Sequence, residues 1–442
     1  TKGNHDLIIS AIDGTSIWGF NSDVSFVELY DGTTKLVPII KNNKIIFPNY
    51  SSDGTGHLKV IVNTLGEHHL KFEFGNDVTY ANNFASPSSV VEINSSTTNG
   101  PSLANEDYFG RSIANIGDLN KDGVDDLAVG AYYDDAGGSG SCLTNSPADC
   151  DRGTVHIMFM NTDGSIDSTV EINDSTANGP DLADEDYFGY SIANIGDLNK
   201  DGTDDIAVGA AYDDNSGTNR GAIHIMFLNT DGTGAVLSTV EINDDTTNGP
   251  VLSDSDYFGY SIANIGDLNN DGTNDLVVGA FADDTGGTGR GAVYILFMNT
   301  DGTASSTVKI ASGTNGGPTL SDSDGFGVGV SGVGDLNNDG IEDLAVGTFG
   351  GEGSVYILFM ATSGSATSSL ELSSGSNGTP SLSTGDNFGW SIHNIGDLDN
   401  DGFNDFVIDK MPANIYQVGL IKICFPSAKI ICLNRRFLDN AW

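Results

Sequence analysis

The sequence predicts an all-β repeat architecture: a β-propeller of four-stranded blades, preceded by a small β-sandwich-like domain. Three observations predict it. One phrase recurs five times: an aromatic-Gly pair, a short apolar strand, Gly-Asp, then an oxygen-rich loop D-x-(N/D)-x-D-G-x-x-D. The loops start at Asp118, Asp197, Asp267, Asp335 and Asp397. Between them the apolar residues fall into short strand-length runs with no helical period. A lone four-stranded unit cannot bury both its faces, so such units must stack on one another.

Residues 1–85 carry no copy of the phrase. Alternating runs at 57–62 (HLKVIV) and 70–74 (LKFEF) mark half-buried strands. They point to a β-sandwich-like accessory domain, closed by a Ser/Pro linker near 85–88. The propeller is expected over 86–442. Successive loops start 79, 70, 68 and 62 residues apart, longer than the about 40–45 residues of a WD40 repeat. The second unit shows the scheme, with expected strands at 187–195, 205–210, 221–227 and 238–242. Thr230, Asp231 and Gly232 turn the third strand into the fourth, since Asp-Gly tolerates the positive φ of tight hairpins. In the second strands, as in Leu127, Ala128, Val129, Gly130 and Ala131, small residues leave room for close backbone approach. After Ile408 the expected Gly-Ala gives way to Asp409 and Lys410. Residues 419–425 still imitate a third strand, so the last blade reads as either degenerate or truncated after about 409.

Asp and Glu number 61 against 18 Lys and Arg, a formal net charge of -43. Such a surface repels nucleic acid and anionic membrane and favours bound cations. No run of eighteen apolar residues marks a membrane-spanning helix, and no signal peptide is visible. The chain begins at Thr1 rather than Met, so its natural N-terminus is expected upstream. Cys142 and Cys150 flank a short loop in the first repeat and are expected to form a disulfide, which fits an oxidising compartment. Cys424 and Cys432 lie in the irregular tail and support no assignment.

Each loop has the ligand spacing of a calcium site. In the first, Asp118, Asn120 and Asp122 supply side-chain oxygens and Gly123 permits the sharp turn. Val124 supplies a backbone carbonyl and Asp126 closes the shell. The equivalents are Asp197, Asn199, Asp201, Thr203 and Asp205; Asp267, Asn269, Asp271, Thr273 and Asp275; Asp335, Asn337, Asp339, Ile341 and Asp343; and Asp397, Asp399, Asp401, Phe403 and Asp405. Hard oxygen donors on a flexible loop suit Ca²⁺ better than Mg²⁺, so up to five Ca²⁺ are expected. An EF-hand would need Glu at the twelfth position and flanking helices. That position is Val129, Val208, Val278, Val346 or Ile408, each inside a strand. A metal-free Asx-rich turn is the other reading. Five loops that each crowd carboxylates together disfavour it, because unneutralised carboxylates repel. The expected role of the metal is structural, a crosslink between each blade's first two strands.

These residues resemble the FG-GAP repeat family. Phe109-Gly110, Phe188-Gly189, Phe258-Gly259, Phe326-Gly327 and Phe388-Gly389 match the "FG", and Gly130-Ala131, Gly209-Ala210 and Gly279-Ala280 match the "GA". The resemblance covers about residues 90–425. FG-GAP repeats build the propeller of integrin α subunits and occur in secreted microbial surface proteins. The resemblance therefore implies an extracellular or cell-surface location and a role in adhesion or ligand binding. The chain departs from the family pattern in three ways. Tyr132, Ala211 and Phe281 replace the Pro of "GAP", the fourth unit has Gly347-Thr348, and five loops stand where integrin propellers have seven blades.

Strand parity places the calcium loops on one rim and the strand-two-to-three connections on the other. That second rim carries Asp134 and Asp135, Asp213 and Asp214, Asp283 and Asp284, and Asn-Gly-Pro stretches at Asn178 and Asn248. It is the expected contact face for a protein or glycan ligand. The competing function class is an accessory propeller of a secreted hydrolase or lyase acting on glycan or lipid, with its catalytic domain elsewhere. No nucleophile elbow, H-E-x-x-H motif or Cys/His pair at useful spacing occurs, which favours a non-catalytic module. His156 and His224 fall in the strand slot that Tyr294 and Tyr356 fill in later repeats, and are expected to be packing residues.

Overall fold

The structure, a computed structural model, describes the side chains of residues 91–135, 150–215, 217–377, 379, 381–397 and 402–409. It also describes the strand backbones within 3–74 and at 410, 420–426 and 430–434. Two compact units divide the chain, Thr1–Val90 and Val91–Trp442. The first holds two antiparallel sheets, of four and three strands. Its strands include Leu58–Val62 and Leu70–Phe74, where the alternation predicts them.

The second unit is five antiparallel four-stranded sheets, each with its strands in sequence order. No helix occurs among the described residues. The first blade is Phe109–Asn115, Leu127–Ala131, Thr154–Met160 and Ile166–Ile172. The second is Ser191–Gly196, Asp205–Ala210, Ala222–Leu228 and Val236–Ile242. The third is Phe258–Asn264, Leu276–Ala280, Ala292–Met298 and Ala304–Ala311. The fourth is Val330–Gly334, Asp343–Thr348, Ser354–Met360 and Ala366–Leu372. The fifth is Phe388–Gly396, Asp405–Lys410, Leu420–Pro426 and Ile430–Asn434. The tail thus supplies the third and fourth strands of a complete sheet.

In the second blade the second strand has its expected span, the third and fourth are displaced by one or two residues, and the first departs most. The first strand of the second blade starts at Ser191, not Tyr187, because Tyr187 (φ 57°) and Gly189 (φ 90°) turn the chain before pairing begins. Burial follows position in the blade. Third strands such as Ala222–Leu228 are buried at every residue, as befits strands covered on both faces, whereas fourth strands such as Val236–Ile242 bury mainly their ends. Core clusters run from one blade into the next. Ile225 and Phe227 of the second blade pack in one cluster with Leu276, Tyr294 and Leu296 of the third.

The two glycines of the repeat have a common explanation. The backbone of Gly130, Gly209, Gly279 and Gly347 lies against the carbonyl of Gly189, Gly259, Gly327 and Gly389, the "FG" glycine of the next blade. That carbonyl also accepts a hydrogen bond from the hydroxyl of Ser112, Ser191 or Ser261, at 2.7–2.8 Å. The acceptor glycines have φ between 90° and 101°, a region that a side chain disfavours. Blade-to-blade contact is therefore backbone on backbone at this point. Gly209→Ala would drive a methyl into the Gly259 carbonyl. It is expected to cost at least about 1–3 kcal/mol, as overpacking does, measured by urea denaturation. Gly313→Ala, at a position of φ 74° where an added methyl meets nothing within 4 Å, shows what backbone strain costs without a clash.

Candidate functional site

The first four oxygen-rich loops repeat one geometry. The first-position Asp (Asp118, Asp197, Asp267, Asp335) accepts hydrogen bonds from the N–H groups of the fifth and sixth residues, at 2.7–3.0 Å. The Asn at position three (Asn120, Asn199, Asn269, Asn337) accepts from the fifth N–H and donates its amide to the fifth-position Asp, at 2.8–2.9 Å. That Asp (Asp122, Asp201, Asp271, Asp339) accepts from the seventh N–H, at 2.9–3.0 Å. The glycine at position six has φ between 85° and 94°, which is why only Gly suits the turn. Positions one, three and five are thus drawn together, as their spacing predicts.

The ninth-position Asp behaves differently. Asp126, Asp205, Asp275 and Asp343 are wholly buried. One carboxylate oxygen accepts from the second residue of the loop, at 2.9–3.1 Å. The other accepts from the end of the third strand, at Met160, Leu228, Met298 or Met360, at 3.0–3.1 Å. The residue expected only to close a metal shell therefore also bolts the loop to the third strand. Burial pushes Asp205 up to about 7 and Asp275 and Asp343 up to about 6, and raises Asp126. The backbone hydrogen bonds oppose that rise and the nearby fifth-position Asp adds to it.

Val124, Thr203, Thr273 and Ile341 follow the fifth-position turn in each loop, with Thr203 and Thr273 buried. In the fifth loop Asp397 accepts from Gly402, at 3.0 Å, and Asp405 is buried like its counterparts. Phe403 is half-buried. Asp399 and Asp401 lie outside the described residues. Among the described residues, no three His, Cys, Asp or Glu side chains are already gathered as a metal cage. The loop donors that converge include an Asn amide oxygen, and every donor in the set is an oxygen.

On the opposite rim the acidic pairs split in role. Asp134, Asp213 and Asp283 are buried, and Asp135, Asp214 and Asp284 are exposed. The exposed members close their own loops: Asp135 accepts from Cys150 and Asp151, Asp214 from Asn219, and Asp284 from Gly289. The Asn-Gly-Pro stretches are also engaged, since the carbonyls of Asn178 and Asn248 accept from Thr239 and Thr307. Cys150 is buried, and its expected partner Cys142 lies outside the described residues.

Composition and spacing gave no sign of what else stands on this rim. Tyr132, Tyr187, Tyr212, Tyr257, Phe281, Phe349 and Trp390 gather around Tyr190 and Tyr260 in one cluster. Neighbouring rings lie 4.4–6.4 Å apart. Tyr108, 59% exposed, extends the cluster outward. Below it the first strands of all five blades line a cavity of about 360 Å³. The Arg111 guanidinium stacks there 4.3 Å from the Tyr190 ring and 5.8 Å from that of Tyr260. Residue identity does leave one trace: Tyr132 and Phe281, though not Ala211, stand where the "GAP" proline is missing.

An FG-GAP repeat family model matches residues 109–158, 188–226 and 258–296. Integrin alpha-6 of Gallus gallus is 35% identical over 170 residues, 38% of this chain and 14% of that protein. Integrin alpha-5 of Xenopus laevis is 28% identical over 268 residues, 58% of this chain and 21% of that protein. The matched stretches thus span about a seventh to a fifth of these relatives' length. A solved rhamnogalacturonan lyase superposes with a TM-score of 0.31 at 15% identity, covering 63% of this chain and 58% of that one. That likeness is too slight to bear on fold or activity. With its FG and GA glycines interlocked blade to blade, this chain carries FG-GAP repeats similar to those of the integrin α relatives.

Proposed function

We propose that this chain is an extracellular or cell-surface, non-catalytic module for adhesion or ligand binding, stabilised by calcium. The observation that carries the binding role is the half-exposed aromatic cluster on the rim opposite the oxygen-rich loops. Tyr and Trp present large, rigid, amphipathic area at low entropic cost, and they dominate binding hot spots. The cluster sits on a chain of net charge -43, so a protein or glycan partner fits it better than nucleic acid or an anionic membrane. Its rings can stack on sugar faces or receive apolar side chains.

The calcium reading rests on the loop geometry and donor chemistry. Carboxylate and amide oxygens at positions one, three and five already converge, each carboxylate oxygen retains a lone pair beyond its hydrogen bond, and no nitrogen or sulfur donor intrudes. The residues that would hold Ca²⁺ are those of the five loops, Asp118 to Asp126 and their equivalents. Bound there, the ion would neutralise the clustered carboxylates and clamp the loop between the first two strands. The bond from each ninth-position Asp to the third strand would extend that clamp across the blade. The Cys142–Cys150 disulfide belongs to the same proposal, as a staple of the first blade's longest connection.

The test of the binding role is a glycan array and an extracellular-matrix protein panel probed with the wild type and with a Tyr187→Ala/Tyr212→Ala variant in millimolar calcium. The expected result is binding without turnover that falls at least tenfold in the variant. Bond cleavage on the array would replace this reading with an enzymatic one. Equal binding by the two proteins would remove the aromatic rim from it.

A further inference from the structure

The residue after the FG pair changes in kind from blade to blade. It is Arg111 in the first, Tyr190 and Tyr260 in the second and third, Val328 in the fourth and Trp390 in the fifth. All five line the cavity of about 360 Å³ beneath the aromatic cluster. The repeats thus bring three aromatic rings, one aliphatic side chain and a single guanidinium to one chamber.

Arg111 differs from the other described arginines. Arg152 pairs with Asp174 and Asp184, Arg220 with Asp244 and Asp254, and Arg290 with Asp322, at 2.6–2.9 Å. Arg111 has no such partner among the described residues. Its charge is met by the rings and hydroxyls of Tyr190 and Tyr260 instead. The cavity lining includes no Asp or Glu, in a chain that carries 61 of them. Ring faces attract a cation but do not use up the in-plane N–H donors of its fork. A half-buried guanidinium with donors to spare and no counter-charge suits a carboxylate, which it can hold bidentately.

The rest of the lining fits the body that would carry that carboxylate. Tyr190, Tyr260 and Trp390 offer flat apolar surface. Ser112, Ser191 and Ser261 line the same cavity. Their hydroxyls donate to the neighbouring blade's carbonyls at 2.7–2.8 Å and so keep oxygen lone pairs for an incoming donor. A sugar ring has both complements, a face of C–H groups for stacking and a rim of hydroxyls for the serines. An acidic side chain of a protein partner would use the arginine and leave the serines idle. The volume lies at the small end of the range for ligand pockets, about 300–1,000 Å³, so it takes a short stretch of glycan. The net charge of -43 disfavours a polyanion. It weighs less on a single carboxylate inside a carboxylate-free cavity, because exposed charges beyond about 8 Å are largely screened in physiological salt.

Resting on the reading of the aromatic rim as a binding face, we propose that its ligand is a glycan with a carboxylate-bearing sugar, a uronic or sialic acid residue, seated in this cavity with its carboxylate on Arg111. The test is titration calorimetry of the full chain in millimolar calcium with uronic-acid oligosaccharides, sialylated oligosaccharides and the carboxyl-reduced form of each. Wild type is expected to bind one acidic set at least tenfold more tightly than its reduced form, and which set it is identifies the sugar. Arg111→Gln should abolish that preference, as should Arg111→Tyr, which copies the second and third blades. An unchanged far-ultraviolet strand spectrum identifies the folded variants, and the acid-against-reduced comparison on wild type needs no variant. Equal binding of the two forms by wild type, an acid preference that survives in folded Arg111→Gln, or no binding of either form overturns the proposal. The aromatic rim is judged separately. Binding of a neutral glycan or a matrix protein that falls in Tyr187→Ala/Tyr212→Ala leaves the rim standing where the carboxylate fails.

Discussion

Stripping divalent cations with a chelator is expected to lower the melting temperature of the blade unit by roughly 15 °C. The figure follows from mass action. A site at ~100 times its Kd in calcium adds roughly 2.7 kcal/mol, so the four fully described loops together contribute on the order of 10 kcal/mol. Unfolding entropy is about 2.1 cal/mol/K per residue, or ~0.7 kcal/mol/K for the Val91–Trp442 unit. Dividing the first figure by the second sets the size of the shift. Differential scanning calorimetry in millimolar calcium and in EDTA measures it directly. Coincident melts would mean that the loops hold themselves together through their own hydrogen bonds and that calcium has no structural part.

The second large effect is expected from Asp205→Ala, and it should persist in EDTA. Asp205 is fully buried and accepts from Leu198 N and Leu228 N, both at 3.1 Å. Truncation leaves two buried N–H groups without acceptors, at about 1–3 kcal/mol each. A total loss of roughly 3–5 kcal/mol should appear in urea denaturation without metal. Asp201→Ala in the same loop removes one exposed and one part-buried hydrogen bond. It should cost under about 1 kcal/mol in EDTA, in the range of ordinary surface substitutions, while weakening calcium binding. Equal losses for the two variants in EDTA would show that the ninth-position Asp acts through the metal alone and not as a bolt to the third strand.

Much of the blade scheme was legible because its signals are local. The D-x-N-x-D-G order places three oxygen-bearing side chains within reach of the N–H groups of their own loop, and the structure draws them together as the spacing implies. Period and composition likewise marked the second and third strands, whose apolar runs match the observed spans closely. The first strand was read four residues too early in the second blade, because Tyr187, Phe188 and Gly189 look like strand residues. Their positive-φ turn is tied to the preceding blade through Phe188 N–H to the Arg152 carbonyl, at 2.8 Å, a contact that residue type does not reveal. Asp213 and Asp214 were expected to stand together on a ligand-contact face. Nothing along the chain says that one member would be buried and the other would close a loop.

By itself, then, the amino-acid order determined the repeat, the strand count of a blade and the oxygen-rich loops. Each of these depends on residues within about ten positions of one another, where chain geometry leaves few alternatives. Tertiary structure alone decided that the ninth-position aspartates reach the third strand and that the GA glycines meet the next blade's FG carbonyls. It also decided that tyrosines from successive repeats meet in one aromatic cluster. Those partners lie seventeen to about seventy residues apart, and what pairs them is the stacking of whole sheets.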